Sequence, residues 1–373
     1  MSKSLILVTG GAGYIGSHTV KLLLDNNYDV VVLDNLSTGY LKAVDKRAKL
    51  VVGDCRNLGL LNSLFDKYHF DGIIHFAGKI QVAESVSSPL SYYDDNSFSV
   101  LSILRAMRLY NVKNIVFSST AAVYGSSKED AISEDAILNP TSPYGRSKLM
   151  SENMIKDAAH AYGLKYCIFR YFNVAGASKD GSIGEAHPVE THIIPCILIS
   201  QLKNKQFTLF GNDYQTRDGT NLRDYIHVLD LAKAHVLGIT HLIKTKQSDI
   251  FNLGSETGYT NLEIIQAVSK VLNKEVNYVF GPRRPGDADS IVASNKHAKE
   301  ILKWTIDNNL ENMIRDDLNW RQKNPSLYGK NHFSNIKSDL EIVDLKIKPK
   351  KYYASLYENI ENIDSFNLKK YTK

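Results

Sequence analysis

The sequence predicts an α/β protein: a Rossmann-type, doubly wound parallel sheet with a smaller C-terminal substrate-binding lobe. Three observations carry this. Short, near-continuously apolar runs alternate with amphipathic stretches through the first half, as strands buried on both faces and their flanking helices require. A glycine-rich turn joins the first run to the first amphipathic stretch, where a Rossmann fold receives a pyrophosphate. From about residue 176 the pattern turns irregular, with Gly, Pro, Asp and His clustered in 176–195, 211–224 and 281–289; long loops of this kind are suited to a second lobe. At 373 residues the chain exceeds the usual single-domain size. The expected organisation is a dinucleotide-binding domain over 1–175, to which later segments return, a substrate lobe over 176–330, and an extension over 331–373 with no clear period.

The predicted strands, in order, are L-I-L-V-T at 5–9, V-V-V-L-D at 30–34, L-V-V-G-D at 50–54, G-I-I-H-F-A-G at 72–78, N-I-V-F-S-S at 114–119 and Y-C-I-F-R-Y-F-N at 166–173. Helices are expected over 16–26, 91–110 and 144–162, the last beginning just after Pro143, a residue suited to a first helical turn. No internal repeat is present.

With 43% hydrophobic and 23% charged residues, the composition is that of an ordinary soluble enzyme. The net charge of +5 gathers toward the C-terminal end and forms no basic stripe interleaved with aromatics, so no nucleic-acid partner is expected. No apolar run approaches a membrane span, and the first residues lack a leader's apolar core and cleavage site. Cys55, Cys167 and Cys196 are far apart and lack C-x-x-C spacing, which predicts free thiols in a cytoplasmic setting and no zinc or other metal site.

After the first strand, T-G-G-A-G-Y-I-G-S-H satisfies G-x-G-x-x-G through Gly11, Gly13 and Gly16, and G-x-x-G-x-x-G through Gly10, Gly13 and Gly16. Glycines permit a tight turn and close approach of backbone N–H groups to a pyrophosphate at the helix N-terminus. Asp34 ends the second strand eighteen residues after Gly16. Its carboxylate would accept from the adenine-ribose hydroxyls and repel a 2′-phosphate, favouring NAD over NADP. Asp54 fits an adenine contact or a cap or turn equally well. Ala77 and Gly78 are small enough to let a cofactor cross the fourth strand, and His75 reads as a core residue.

Tyr144 and Lys148 lie four apart in S-P-Y-G-R-S-K, so on a helix their polar ends share one face. A phenol, with a pKa near 10, is about one part in a thousand ionised at neutral pH. A fixed cation beside it would lower that pKa and make a general base. Thr120, 24 residues before Tyr144 at the end of the fifth strand, is expected to face the same pocket.

The glycine loop, Asp34, S-S-T at 118–120 and Y-x-x-x-K together resemble the extended short-chain dehydrogenase/reductase family. Within it, G-G-A-G-Y-I-G-S-H, F-S-S-T-A-A-V-Y-G, N-P-T-S-P-Y-G-R-S-K-L-M, R-Y-F-N-V-A-G-A, F-G-N-D-Y-Q-T-R-D-G-T-N-L-R-D-Y-I-H-V and P-R-R-P-G-D are similar to the UDP-galactose 4-epimerases. The similarity spans roughly 4–329. It implies that Tyr144, as phenolate, takes the proton of the sugar 4-hydroxyl while hydride leaves carbon 4 for NAD. Lys148 would hold the nicotinamide ribose and Thr120 the sugar oxygen, and the 4-keto sugar would turn to receive hydride on its other face. The resemblance further implies cofactor contacts at Tyr14, Ile15, Asn35, Ser37, Thr38, Cys55, Phe76, Asn96 and Ser118. Tyr171 and Phe172 are placed against the nicotinamide or in the core. For the UDP-sugar it implies Asn173, Phe210, Tyr225 and Asp287, with Arg223 and Arg284 on the diphosphate; taken singly, each Arg is also compatible with a surface ion pair. A homodimer is implied, packed through a helix bundle that includes 91–110 and 144–162.

Three positions depart from the enterobacterial and animal pattern. Lys79 stands one position before the usual lysine, and Ile80 replaces it. His192 takes the place of an Asn at the diphosphate, with a charge expected to vary with pH. Ile291 replaces a Tyr that excludes 2-N-acetyl groups, which opens the site to UDP-N-acetylhexosamines or UDP-pentoses as alternative substrates. A 4,6-dehydratase would need an acid and a base after Thr120, where Ala121 and Ala122 stand. A non-catalytic NAD-binding regulator would have no use for Tyr144, Lys148, Arg223 and Arg284.

Overall fold

The computed structural model describes residues 3–126, 129–187, 189–284, 287–329 and 340–346. The first half runs β1 (Leu5–Thr9), α1 (Tyr14–Asp25), β2 (Asp29–Asp34), β3 (Lys49–Val52), α2 (Leu58–Lys67), β4 (Gly72–His75), α3 (Val82–Ser87), α4 (Pro89–Tyr92), α5 (Ser99–Leu109), β5 (Asn114–Thr120), α6 (Pro143–Tyr162) and β6 (Lys165–Tyr171). There follow β7 (Asn173–Ala175), α7 (Ile193–Leu202), β8 (Phe207–Phe210), β9 (Leu222–His227), α8 (Val228–Thr245), β10 (Asp249–Leu253) and β11 (Gly258–Thr260). The last elements are α9 (Asn261–Leu272), β12 (Tyr278–Gly281), β13 (Ser290–Ile291), α10 (Lys296–Leu302), α11 (Leu310–Lys323) and β14 (Glu341–Ile342).

Eight strands form one sheet in the order β10-β6-β5-β4-β1-β2-β3-β14, and every pair is parallel. Alternate residues of the apolar runs enter opposite layers. Ile6, Val8, Val30, Val32, Ile74, Val116 and Phe169 pack on the side of α1 and α8. Leu7, Val31, Leu33, Ile73, Ile115, Phe117 and Ile168 pack on the side of α2, α5 and α6. Burying each such side chain contributes about 1.5–3 kcal/mol, against about 1 kcal/mol for a helix cap, so the two-sided core dominates. The strand order reverses between β1 and β4, which opens a crevice at their C-terminal ends.

Several boundaries differ from expectation. The predicted sixth strand stops at Tyr171, and Asn173 opens β7, which pairs with β9 of a smaller sheet; the chain crosses between layers at Phe172. The predicted third strand ends at Val52 because Gly53 and Asp54 turn toward α2. The helix expected over 91–110 is interrupted by a π-helical turn over Tyr93–Phe98. The region beyond 175, expected to contain long loops at 176–195, 211–224 and 281–289, carries five helices among the described residues. One reason is that α7, I-I-P-C-I-L-I-S-Q-L, is apolar nearly all round and so lacks a helical period. In the extension, the described residues include β14, which pairs with β3; Leu340 and Val343 are buried and the Val343 amide donates to the Leu50 carbonyl at 2.7 Å. The remainder of 331–373 lies outside the described residues.

Candidate active site

β1 runs into Gly10, whose φ of +72° costs glycine little. A Cβ there would stand 2.7 Å from the Ala77 amide nitrogen, so the ends of β1 and β4 meet backbone to backbone. A Cβ on Gly16 would run into the Gly10 carbonyl oxygen. Gly13 caps α1 without a side chain, which leaves the first helical amides, at Tyr14, Ile15 and Gly16, to an incoming anion. The cradle fits the pyrophosphate of a dinucleotide. The Tyr14 side chain turns away from it: its hydroxyl donates to the Gly176 carbonyl at 2.5 Å.

Asp34 is buried at the end of β2. Its Oδ2 accepts the Ala12 amide at 2.9 Å and its Oδ1 the Leu36 amide at 2.8 Å. Burial pushes its carboxyl above the ordinary range, against those two amides. Each oxygen keeps a lone pair for a ribose hydroxyl. Asn35, Ser37 and Thr38 follow on an exposed turn, in which Asn35 accepts the Ser37 amide at 3.0 Å and donates to Asp54 at 3.3 Å. The Arg56 fork grips Asp54 at 2.9 and 2.6 Å and holds its carboxyl below the usual range. The structure thus anchors Asp54 in a turn. Burial pushes the Cys55 thiol up to about 12, so Cys55 offers a cofactor its backbone rather than its sulfur.

Beyond β4, Phe76 packs on His235 at 4.6 Å. Gly78, at φ +155°, could not carry a Cβ without bringing it to 2.6 Å from Asn96 Oδ1. Asn96 lies on the π turn; it accepts the Lys79 amide at 2.7 Å and donates to the Lys79 carbonyl at 3.1 Å and to Ser147 Oγ at 3.0 Å. The interrupted helix therefore straps the loop after β4 to α6. The Lys79 ammonium is engaged by Glu84 and Asp95 at 3.3 and 3.5 Å, and Ile80 is exposed.

Ser142 caps α6, accepting the Gly145 amide at 3.2 Å, with Pro143 in the first turn. This places Tyr144, Ser147, Lys148, Ser151 and Glu152 on the buried face. The Tyr144 phenol lies beside Thr120, and its ring meets Tyr92 edge-on at 6.3 Å. Lys148 donates to the Ser118 carbonyl at 2.9 Å and lies 5.0 Å above the Phe117 ring. Burial pushes the pKa of Tyr144 up and Thr120 draws it down, while the Lys148 ammonium bonds the Ser118 carbonyl. Burial likewise lowers Lys148 to about 8, against the pull of Glu152.

Because the folded-state pKa of Lys148 lies below the ordinary 10.5, the unfolded chain binds this proton more tightly. The cost is full below about pH 8 and is relieved as pH rises toward the ordinary value. Lys148→Met is therefore expected to stabilise the ligand-free protein by about 1–3 kcal/mol in urea unfolding at neutral pH, while turnover is lost.

A cavity of about 430 Å³ opens in the smaller lobe, lined among others by Asn173, His192, Phe210, Arg223, Tyr225, Arg284 and Asp287. The sheet registers gather them: Asn173 pairs with Tyr225, and Arg223 with both Tyr259 and Ile291. Arg223 donates to the Leu222 carbonyl at 2.8 Å, and burial lowers its pKa. Arg284 lies 4.4 Å above the Phe210 ring. Among the described residues, neither guanidinium has a carboxylate oxygen within 4.0 Å, while the neighbouring Arg283 is paired with Asp289 at 2.8 Å. Two guanidinium groups facing one cavity without a direct ion pair fit a diphosphate.

Residues 6–254 match the NAD dependent epimerase/dehydratase family. The UDP-glucose 4-epimerase of Lactobacillus helveticus is 48% identical over 325 residues, covering 87% of this chain and 98% of that protein. The chain belongs to this family. The UDP-glucose 4-epimerase of Bacillus subtilis is 42% identical over 334 residues, covering 87% of this chain and 98% of that one. The crystal structure of UDP-glucose 4-epimerase from Bifidobacterium longum in complex with NAD+ and UDP superposes with a TM-score of 0.83 at 38% identity, over 87% of this chain and all of that one.

Within this epimerase framework, Thr120, Tyr144, Lys148 and Ser118 come together at the end of β5. Ser118 also bonds His235 at 2.9 Å, and Tyr171 lies beside it. Phe172 points instead into a side cluster with Val123, Tyr124 and Ile132, against which Ile291 also packs. His75 is buried and bonded to Thr9 at 2.7 Å, a core residue as expected. His192 aims its Nδ1 at Glu185, 2.6 Å away. Burial disfavours its charge, but Glu185 and Glu190 outweigh burial and raise it to about 10. Sequence reading missed Glu152, buried four residues after Lys148 and forked by Arg170; the i,i+4 spacing from Lys148 was its one local signal. It also missed Arg56, the partner of Asp54.

Proposed function

We propose that this NAD-dependent epimerase interconverts UDP-glucose and UDP-galactose. One observation carries the reading: a single buried phenol, Tyr144, stands with Thr120 and Lys148 where Ala121 and Ala122 leave no second acid or base for elimination. When bound, NAD supplies a hydride acceptor for sugar carbon 4 and a positive charge at its nicotinamide ring. Beside that charge and the Lys148 ammonium, Tyr144 would release its proton to solvent and, as phenolate, take the one from the 4-hydroxyl. Thr120 holds the same oxygen; once the 4-keto hexose has turned, the hydride would return to the opposite face of carbon 4 and Tyr144 would hand the proton back to the oxygen. Turning requires the grip to be on the nucleotide diphosphate, and the lobe supplies it: Arg223 and Arg284 for the phosphates, Phe210 and Tyr225 along the uridine, Asp287 for its ribose hydroxyls. Asp34 and the glycine cradle hold NAD at the other end.

Incubation with a panel of UDP-sugars and chromatographic separation of the epimers tests this; conversion of N-acetylated or pentose sugars in preference to UDP-glucose would overturn it. Arg223→Met is expected to raise KM for UDP-galactose by about tenfold or more with a smaller change in kcat, since a charge-assisted bond to phosphate contributes about 1.5–3 kcal/mol.

The same reading includes a homodimer in the cytoplasm. Val86, Leu90, Phe98 and Met150 are exposed on α3, α4, α6 and the π turn, an apolar face for a second copy. The three cysteines are free, in keeping with a reducing compartment. Light scattering at micromolar concentration checks the dimer.

A further inference from the structure

The segment E-A-H-P-V-E-T-H (185–192) places two imidazoles and two carboxylates around one point. His192 Nδ1 lies 2.6 Å from Glu185 Oε1 and 3.5 Å from Glu190 Oε1; His187 Nδ1 lies 3.2 and 3.7 Å from the same two oxygens. One atom from each of the four residues falls within 4.8 Å of all the others. Each ring faces both carboxylates, where simple ion pairing would give each ring one partner. A tetrahedral ion with bonds of about 2.0–2.1 Å places its ligands about 3.3 Å apart, and the four separations bracket that value.

Charge points the same way. Glu185 and Asp317 are buried and Glu190 is half-buried. Among the described residues, the permanent cation paired with them is Arg321, with Nε 3.0 Å from Asp317 and Nη2 3.8 Å from Glu190. That Nη2 is buried and makes no hydrogen bond among the described residues. Arg321 offsets one of the three carboxylates, and a divalent ion taking the place of the two imidazole protons would offset the other two, where a buried excess of charge is costly. Two imidazoles with two carboxylates suit zinc better than magnesium or calcium, which take all-oxygen sets.

We propose that Glu185, His187, Glu190 and His192 form a structural zinc site that pins the loop ahead of α7 against α11. Four protein ligands close the coordination shell, so the ion's role is to hold the cavity wall at Thr191, His192 and Ile193 rather than to bind the sugar. The site is independent of the epimerase reading, and its test reads metal and melting instead of turnover.

The full-length protein is expected to contain about one zinc per chain by mass spectrometry. Stripped with a chelator, it is expected to rebind one equivalent of zinc chloride by calorimetry, with a rise in Tm that saturates at that equivalent. Cobalt(II) in its place should give the intense visible bands of a tetrahedral ion. His187→Ala is expected to weaken zinc binding by more than about tenfold, His187→Cys, which keeps a ligand, to retain it, and the exposed His69→Ala to leave it unchanged. Absence of zinc uptake by the stripped wild-type protein would overturn the proposal, as would weak octahedral cobalt bands or undiminished binding by His187→Ala. The wild-type cobalt spectrum decides even if His187→Ala fails to fold.

Discussion

Tyr144→Phe is expected to lower kcat by about 10²–10⁴-fold while leaving NAD content and UDP affinity close to wild type. The change removes one oxygen. The ring keeps its edge contact with Tyr92 at 6.3 Å, and the Thr120 hydroxyl keeps the Ala122 amide as a donor at 3.1 Å, so the pocket has no reason to collapse. What disappears is the hydroxyl beside Thr120 that would take the 4-hydroxyl proton. A steady-state assay with UDP-galactose, run beside a spectrophotometric measure of bound nucleotide, separates the two effects. A kcat near wild type would remove Tyr144 from the chemistry.

The second large effect concerns stability. Glu152→Ala is expected to destabilise the protein by about 3–5 kcal/mol, because it leaves a buried guanidinium without its counter-charge. Arg170 is 1% exposed and Glu152 fully buried. The pair is forked, Nε to Oε1 at 3.1 Å and Nη2 to Oε2 at 2.7 Å, and Ser119 donates to the same carboxylate at 2.5 Å. Arg170 continues to the Tyr124 hydroxyl at 3.0 Å and the Glu134 carbonyl at 3.2 Å, so the loss spreads along β5, β6 and α6. Urea unfolding measures it. The same carboxylate supports the charge of Lys148, whose pKa burial holds at about 8. Without Glu152 that value falls further, so the alkaline limb of the kcat/KM profile should move to lower pH in whatever Glu152→Ala protein folds. An unmoved limb would detach Glu152 from Lys148.

How much of this was legible in the sequence depends on the range of the interaction that decides each feature. Strand runs, the glycine turn, Asp34 and the Ser142-Pro143 start of α6 are local patterns, and the parallel sheet follows from apolar runs buried on both sides. The cavity residues were legible through resemblance, since Arg223 and Arg284 taken singly read as surface charges. Four features were not legible. Phe172 marks a change of sheet that only the pairing of Asn173 with Tyr225 reveals. The π turn at Asn96 exists because its amide is clamped to Lys79 and Ser147. Lys148 finds Ser118 rather than Tyr144 because a buried ammonium takes the nearest carbonyl. The convergence of 185–192 depends on Asp317 and Arg321, more than a hundred residues away.

One consequence of the outermost pairing, β14 on β3, bears on how the protein is handled. Its relatives match 87% of the chain, and a version trimmed to that shared span would strip the cover from Lys49–Val52. A bare row of amides and carbonyls beside Leu50 is a template to which strands of neighbouring molecules add. The trimmed protein is expected to remain folded yet to self-associate with time, visible as a growing scattering signal that the full-length chain does not show.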